Sequence, residues 1–525
     1  MDCKCGLLGD SEEEEDYKKR PRVLSLAKGW MTLLSVTEVS WGKQWPGGPW
    51  TLRALRKVRL CSFLFGLTVT IFIMASYILT GDKKGLLLTP SPFQLRLIAE
   101  PGLNTLNLSS DKDYATIKEV VQNIVTKVEF SPRKVPDLTE LKKRELHIFS
   151  IIPQKFLSHI KNPCWYEEYS GNGTVDPYRA NLYFLYSRRF RAVYEYLRSA
   201  FRHHLYNHAG RKYRLRCLPY FYIIGQPKCG TTDLYDRLRL HPEVQFTTMK
   251  EPHWWTRKRF GIIRLSQGLH NPYPVKDYLD LFDLAAFQIQ DHRLGNKSQG
   301  QSKRDIIIGE ASASTMWDNN AWVYFYDNGT GSEPPFLVQD FIHAVQPDAK
   351  FIVMLRDPVE RLYSDYLYFG MANKSVEDFH ERVSESLQLF EGCLTERSMR
   401  SCVYNTTLNN AMPVRLQVGL YVVYILDWLT VFNRNQILVL RLEDHAANRT
   451  QTMHMVFDFL QLGPLSQQKE AVITKSPASN TRRPAVRNLG PMLPITKEIL
   501  QSFYQPFNQK LAKLLRDDSF LWTET

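Results

Sequence analysis

The sequence predicts an α/β fold, a central parallel sheet flanked by helices, carried behind a single transmembrane helix. Three observations lead there. From Tyr220 onward, short β-branched apolar runs alternate with helical patterns, as they do in layered parallel sheets. Tyr220–Thr232 joins one such run to a small-residue loop and then to a helix. Far upstream, Leu60–Leu79 continues for about twenty residues without a charge, the length that a bilayer-spanning helix requires.

The chain of 525 residues has room for two or three domains, or for one large domain with appendages. Its 44% hydrophobic and 12% aromatic content exclude a disordered protein. The net charge of +13 favours a polyanionic partner, whether nucleic acid, anionic membrane or acidic glycan. The eight cysteines form no paired C-x-x-C motifs, so no metal site is encoded. Cys393 and Cys402 stand close enough to close a small disulfide loop, and Cys164 with Cys217 is another pairing, but spacing does not fix connectivity.

In chain order, residues 1–59 read as a cytosolic tail, with an acidic run from Glu12 to Asp16 followed by Lys18, Lys19, Arg20 and Arg22. Residues 60–79 are the signal anchor. Arg53, Arg56, Lys57 and Arg59 precede it, against Lys83 and Lys84 with Asp82 after it, which orients the N-terminus to the cytosol. The result is a single-pass type II protein with a lumenal body. N-x-[ST] sequons at Asn107, Asn172, Asn296, Asn328, Asn373, Asn405 and Asn448 all follow the span and suit that placement. A lumenal setting disfavours nucleic acid and leaves acidic glycans as the expected partner.

Residues 80–113, with Pro90, Pro92, Pro101 and Gly102, read as a stem. Residues 114–216 mix helical patterns such as Leu138–Phe149 with a Cys164-Trp165-Tyr166 cluster and are expected to pack on the catalytic domain, 217–525. Within that domain Ile306–Ile308, Phe351–Leu355 and Ile437–Leu440 are expected strands, and Val359–Phe369, Leu416–Val431 and Met453–Phe459 expected helices. Ligands of such sheets lie at the carboxyl ends of the strands.

At one of those ends, the backbone N–H groups of Lys228–Thr232 would face an anion, aided by the helix dipole and the Lys228 charge. The lysine precedes the second glycine and no GK[ST] occurs, which weakens a kinase reading. Alone, the loop reads as a tight strand-to-helix turn. A second anion site gives it context. Phe351–Leu355 is followed by Arg356-Asp357-Pro358, a strand tip with an Asp cap and a proline at the first helical position, and then by the hydroxyl of Ser364. Together the two suit a ligand with two separated phosphates.

Gln226-Pro227-Lys228-Cys229-Gly230-Thr231-Thr232 resembles the 5′-phosphosulfate loop of Golgi carbohydrate sulfotransferases, and Arg356–Ser364 resembles their 3′-phosphate motif. The two stand in the right order, roughly 130 residues apart. Lys250-Glu251-Pro252-His253-Trp254-Trp255, Gly309–Ser314 and Tyr363–Phe369 are also similar, so the resemblance runs from about Leu218 to the C-terminus. It implies a P-loop-like sulfotransferase fold at the Golgi membrane and 3′-phosphoadenosine 5′-phosphosulfate as donor. The implied acceptor is the 6-hydroxyl of N-acetylgalactosamine 4-sulfate in chondroitin or dermatan sulfate.

On that resemblance Glu251 is the base for the acceptor hydroxyl, His253 its orienting neighbour, and Lys228 the stabiliser of the leaving phosphate. Gln226, Cys229, Gly230, Thr231, Thr232, Arg356 and Ser364 hold the donor, and Thr481, Arg482 and Arg483 belong to a late loop closing over it. Lys250, Arg257, Lys258 and Arg259 are candidates for the acceptor's anions. Related heparan sulfotransferases have a lysine where this chain has Glu310-Ala311-Ser312, which puts more of the leaving-group work on Lys228, Lys250 or His253. The thiol of Cys229 has no derivable role. A glycan-binding or signalling protein that has lost catalysis is the alternative.

Overall fold

A computed structural model describes residues 111–129, 133–171, 175–262, 270–295, 305–326, 333–369, 374–481 and 488–523. They lie in one compact unit, Ser110–Thr525. The expected tail, anchor and stem as far as residue 110 lie outside the described residues, as do Asn107, Asn172, Asn296, Asn328, Asn373, Arg482 and Arg483. The last three residues expected in the stem, 111–113, open a helix. Among the described helices none is long and apolar enough to cross a membrane.

The core is a five-stranded sheet in which every pairing is parallel. Its strands are β4 (Phe221–Gly225), β5 (Val244–Phe246), β6 (Ile307–Ala311), β7 (Lys350–Leu355) and β8 (Ile437–Arg441), in the spatial order β5-β6-β4-β7-β8. β4 and β6 are buried along their whole length, as apolar strands covered on both faces must be. In register, Phe221 lies opposite both Gly309 and Lys350. Gly309 leaves the space that the Phe221 ring fills, since a Cβ there would come within 2.5 Å of it.

Upstream, β1 (Cys164–Glu168), β2 (Tyr206–His208) and β3 (Arg211–Cys217) make a small antiparallel sheet, order β1-β3-β2. Cys164 lies opposite Cys217 and is disulfide-bonded to it. Cys393 and Cys402 form a second disulfide. The helices used below are α1 (Asp111–Thr126), α2 (Thr231–Leu238), α3 (Pro358–Phe369), α4 (Val376–Glu396), α5 (Tyr421–Trp428) and α6 (Pro494–Leu515). α1 lays its apolar face against α4 and α6.

Two expected helices are interrupted. Leu138–Phe149 breaks at Glu145, whose buried carboxylate turns inward to accept from the Tyr326 hydroxyl. Leu416–Val431 becomes a 3₁₀ turn, Leu416–Gly419, followed by α5, because Leu420 at ψ 58° leaves helical geometry after a weak helix former.

Candidate active site

The donor side begins where β4 ends. Lys228 at φ 68° and Gly230 at φ 87° turn the chain sharply into α2. Gly230 meets that conformation without strain, and a Cβ there would also approach Leu442 Cδ1 to 2.6 Å. The first N–H groups of α2 have no acceptor within the helix, so Thr231 and Thr232 present a positive backbone end. Gln226 is fully buried and its Nε2 donor has no partner, which suits an anion bound in the turn. The Lys228 ammonium sits 3.7 Å from the centre of the Tyr368 ring on α3, so the turn and the second motif meet.

At the tip of β7, Arg356 Nη2 lies 3.4 Å from the Glu360 carboxylate. Asp357 accepts from the Val359 N–H at 2.9 Å and Pro358 opens α3, as the sequence predicts. Ser364 is half-buried and follows Glu360, the partner of Arg356, by one turn on the same helix face. Tyr421 braces both halves: its hydroxyl donates to the Arg356 carbonyl at 2.8 Å and lies 3.8 Å from Cys229 Sγ.

Cys229, expected among the donor contacts, instead turns its thiol into the core. It is fully buried, and burial pushes its pKa up to about 12. Its N–H donates to the Gln226 carbonyl at 3.3 Å, so it shapes the turn from within.

The acceptor side is the turn after β5. Glu251 at φ 57° and His253 at φ 51° both occupy left-handed backbone, and the tip of β6 holds them there. The Glu251 N–H donates to the Ala311 carbonyl at 2.9 Å and the His253 N–H to Ser312 Oγ at 3.0 Å. Ser312 Oγ in turn donates to the buried Glu310 carboxylate at 2.6 Å. His253 Nδ1 lies 2.7 Å from Ser314 Oγ, which lies 2.9 Å from Thr256 Oγ1. Lys250 Nζ stands 2.6 Å from one oxygen of Glu251, and His253 Nε2 3.4 Å from the other.

These contacts set the charges. Burial would raise the Glu251 pKa, but Lys250 and His253 outweigh it and hold the carboxyl well below the usual carboxylate range. Burial lowers the pKa of His253 despite Glu251, favouring the neutral imidazole. Burial also raises Glu310 to about 7, with the Ser312 hydrogen bond opposing. Glu251 is therefore ionised at neutral pH, and its pairing with Lys250 lowers its proton affinity.

Arg257 is half-buried, its Nε 2.5 Å from Asp318, and Lys258 lies over the Tyr273 ring. Arg259, expected to contact the acceptor, is buried. Its guanidinium lies 4.0 Å from the centre of the Phe341 ring and 3.6 Å from Glu145, which makes it a core cation. Thr481 is exposed.

The sequence reading missed a buried network around Asp233 on α2. Asp233 accepts from Arg237 at 2.7 Å and from the Ser479 N–H at 2.8 Å, and lies 2.7 Å from His445 Nε2. Arg237 donates to the carbonyls of Ile473, Thr474 and Ser476. The segment leading to the late loop is thus tied to the helix of the donor turn. The i, i+4 spacing of Asp233 and Arg237 was the only local signal.

The parallel sheet thus carries a glycine-turned helix start at one strand tip, an arginine at the next and an ionised carboxylate after the edge strand β5. The sulfotransferase domain family matches residues 218–513, and the chain belongs to it, among the carbohydrate sulfotransferases. Carbohydrate sulfotransferase 15 of Homo sapiens is 59% identical over 515 residues, covering 94% of this chain and 91% of the relative. The Mus musculus protein of that name is 59% identical over 517 residues, with the same coverage. Heparan sulfate glucosamine 3-O-sulfotransferase 3B1 of Mus musculus is 24% identical over 318 residues, 58% of this chain and 65% of the relative.

Proposed function

We propose that the chain transfers a sulfuryl group from 3′-phosphoadenosine 5′-phosphosulfate to the 6-hydroxyl of N-acetylgalactosamine 4-sulfate in chondroitin or dermatan sulfate. The 59% identity to carbohydrate sulfotransferase 15 over nearly the whole chain supports the acceptor class. The observation that carries the chemistry is Glu251, an ionised carboxylate held between Lys250 and His253, on the same parallel sheet as a turn suited to a phosphosulfate.

Glu251 accepts the proton of the acceptor hydroxyl as its oxygen attacks sulfur in line. Lys228 and the first N–H groups of α2 stabilise the negative charge that grows on the departing phosphate oxygen. Arg356 and Ser364 hold the 3′-phosphate, which fixes the donor for that approach. Neutral His253 keeps one oxygen of Glu251 engaged and the carboxylate in place. No covalent intermediate with the chain is needed.

We further propose a type II Golgi protein with a lumenal catalytic domain. The uncharged run Leu60–Leu79, the basic residues before it, two disulfides and the exposed sequon at Asn448 support that placement. Asn405, the other described sequon, is half-buried and caps a helix by accepting from the Leu408 N–H.

The test is incubation of the purified protein with radiolabelled donor and defined chondroitins, followed by disaccharide analysis. The expected product is the 4,6-disulfated unit. Absence of transfer to every acceptor by folded protein overturns the proposal.

A further inference from the structure

Just after the Glu251 turn, Thr256 and Arg257 line a cleft of about 200 Å³ together with Asn409, Asn410, Arg415 and Gln417. Trp317, Asp318 and Asn320 are also part of its lining. Sites for drug-sized ligands run to about 300–1,000 Å³, so this one has room for a single sugar ring or its substituent. Thr256 connects it to the base through Ser314 and His253 Nδ1.

Two arginines line the cleft. Each is about three-quarters buried, with side-chain exposures of 30% for Arg257 and 27% for Arg415. Arg257 uses Nε on Asp318 and Arg415 uses Nε and Nη2 on Asp365, so each retains guanidinium N–H donors. Asp318 pairs with Arg257 and itself lines the cleft, whereas the partner of Arg415 does not cancel the local charge. Asp365 is shared with the fully buried Arg361, 3.6 Å away, and also feels Lys228, so three cations surround one carboxylate. The amides of Asn320, Asn409, Asn410 and Gln417 add hydrogen-bonding groups suited to hydroxyls and an N-acetyl group.

We infer that this cleft is an acceptor subsite, in which Arg257 and Arg415 clasp an oxyanion of the glycan at or next to the reacting sugar. The inference rests on the proposed sulfotransfer to a glycan and names how that site selects its substrate. The oxyanion has two sources in such a polymer, the sulfate ester already on the sugar and the carboxylate of the neighbouring uronate. We assign the sulfate ester, because two guanidinium groups lining one cleft can share its three terminal oxygens.

The test is equilibrium binding, with turnover measured separately, of 4-sulfated, unsulfated and carboxyl-reduced 4-sulfated chondroitin oligosaccharides. Arg257→Gln should weaken binding of both 4-sulfated ligands about tenfold or more, leave the unsulfated one nearly unchanged and leave donor binding intact. Asn410 is exposed, so Asn410→Asp tests the same charge without disturbing packing, and should weaken the sulfated ligands in a salt-dependent way. Unchanged discrimination in both folded variants overturns the subsite. Loss confined to ligands that carry the carboxylate overturns the sulfate assignment. Discrimination by binding with no transfer to any acceptor overturns the proposed activity instead, and leaves the subsite standing.

Discussion

The anion site around Lys228 is made mostly of backbone, whereas the site around Glu251 is made of side chains. In the donor turn a strand ends, Gly230 takes φ 87°, and the N–H groups of α2 supply positive charge that cannot be titrated away. In the acceptor turn the polarity comes from Lys250, Glu251, His253, Glu310 and the hydroxyls between them, and each depends on its neighbours. The first design holds any donor with the right phosphates. The second can be tuned by one substitution and responds to pH.

The comparison breaks most directly at its two centres. Glu251→Gln removes the proton acceptor while keeping the shape, and kcat should fall by about 10²–10⁴-fold with donor binding unchanged. Equal kcat in a folded variant would move the base elsewhere. Lys228→Ala should lower kcat by about 10²–10³-fold, and single-turnover kinetics should place the loss in the transfer step. If it only weakened donor binding, the donor turn would be a clamp and no more.

Glu310 sharpens the contrast in pH dependence. Its carboxyl is raised from 4.5 to about 7 in the folded protein, so the unfolded chain gives up that proton first as pH rises. Its contribution to stability is therefore full below pH 4.5 and is lost as pH rises towards 7, about 3 kcal/mol in all. Glu310→Gln should flatten that part of the curve of stability against pH, measured by urea denaturation. The smallest effect belongs to the backbone-built side: Gly230→Ala should cost about 1–2 kcal/mol through its left-handed φ, read as a lower thermal midpoint.

Much of the donor side was legible in the sequence because its signals are local. An apolar strand, two bracketing glycines and an Arg-Asp-Pro strand end describe that geometry within a dozen residues each. The strand order β5-β6-β4-β7-β8 was not legible, since periodicity says which segments are strands but not which ones pair. Arg259 misled for a related reason. In a basic run it reads as solvated, and only the distant Glu145 and Phe341 make a buried guanidinium tolerable. Glu310 carried no sign of its proton affinity either, because that comes from burial at the tip of a central strand.

One consequence concerns the thiol in the donor turn. Among the described residues Cys229 is the one free cysteine, and its sulfur is sealed beneath the turn that the donor would occupy. Thiolate is the reactive form in alkylation, and burial suppresses both its formation and access to it. Its labelling rate in the native protein is therefore a clock for how often the cradle opens, and ligands that close the cradle should slow it.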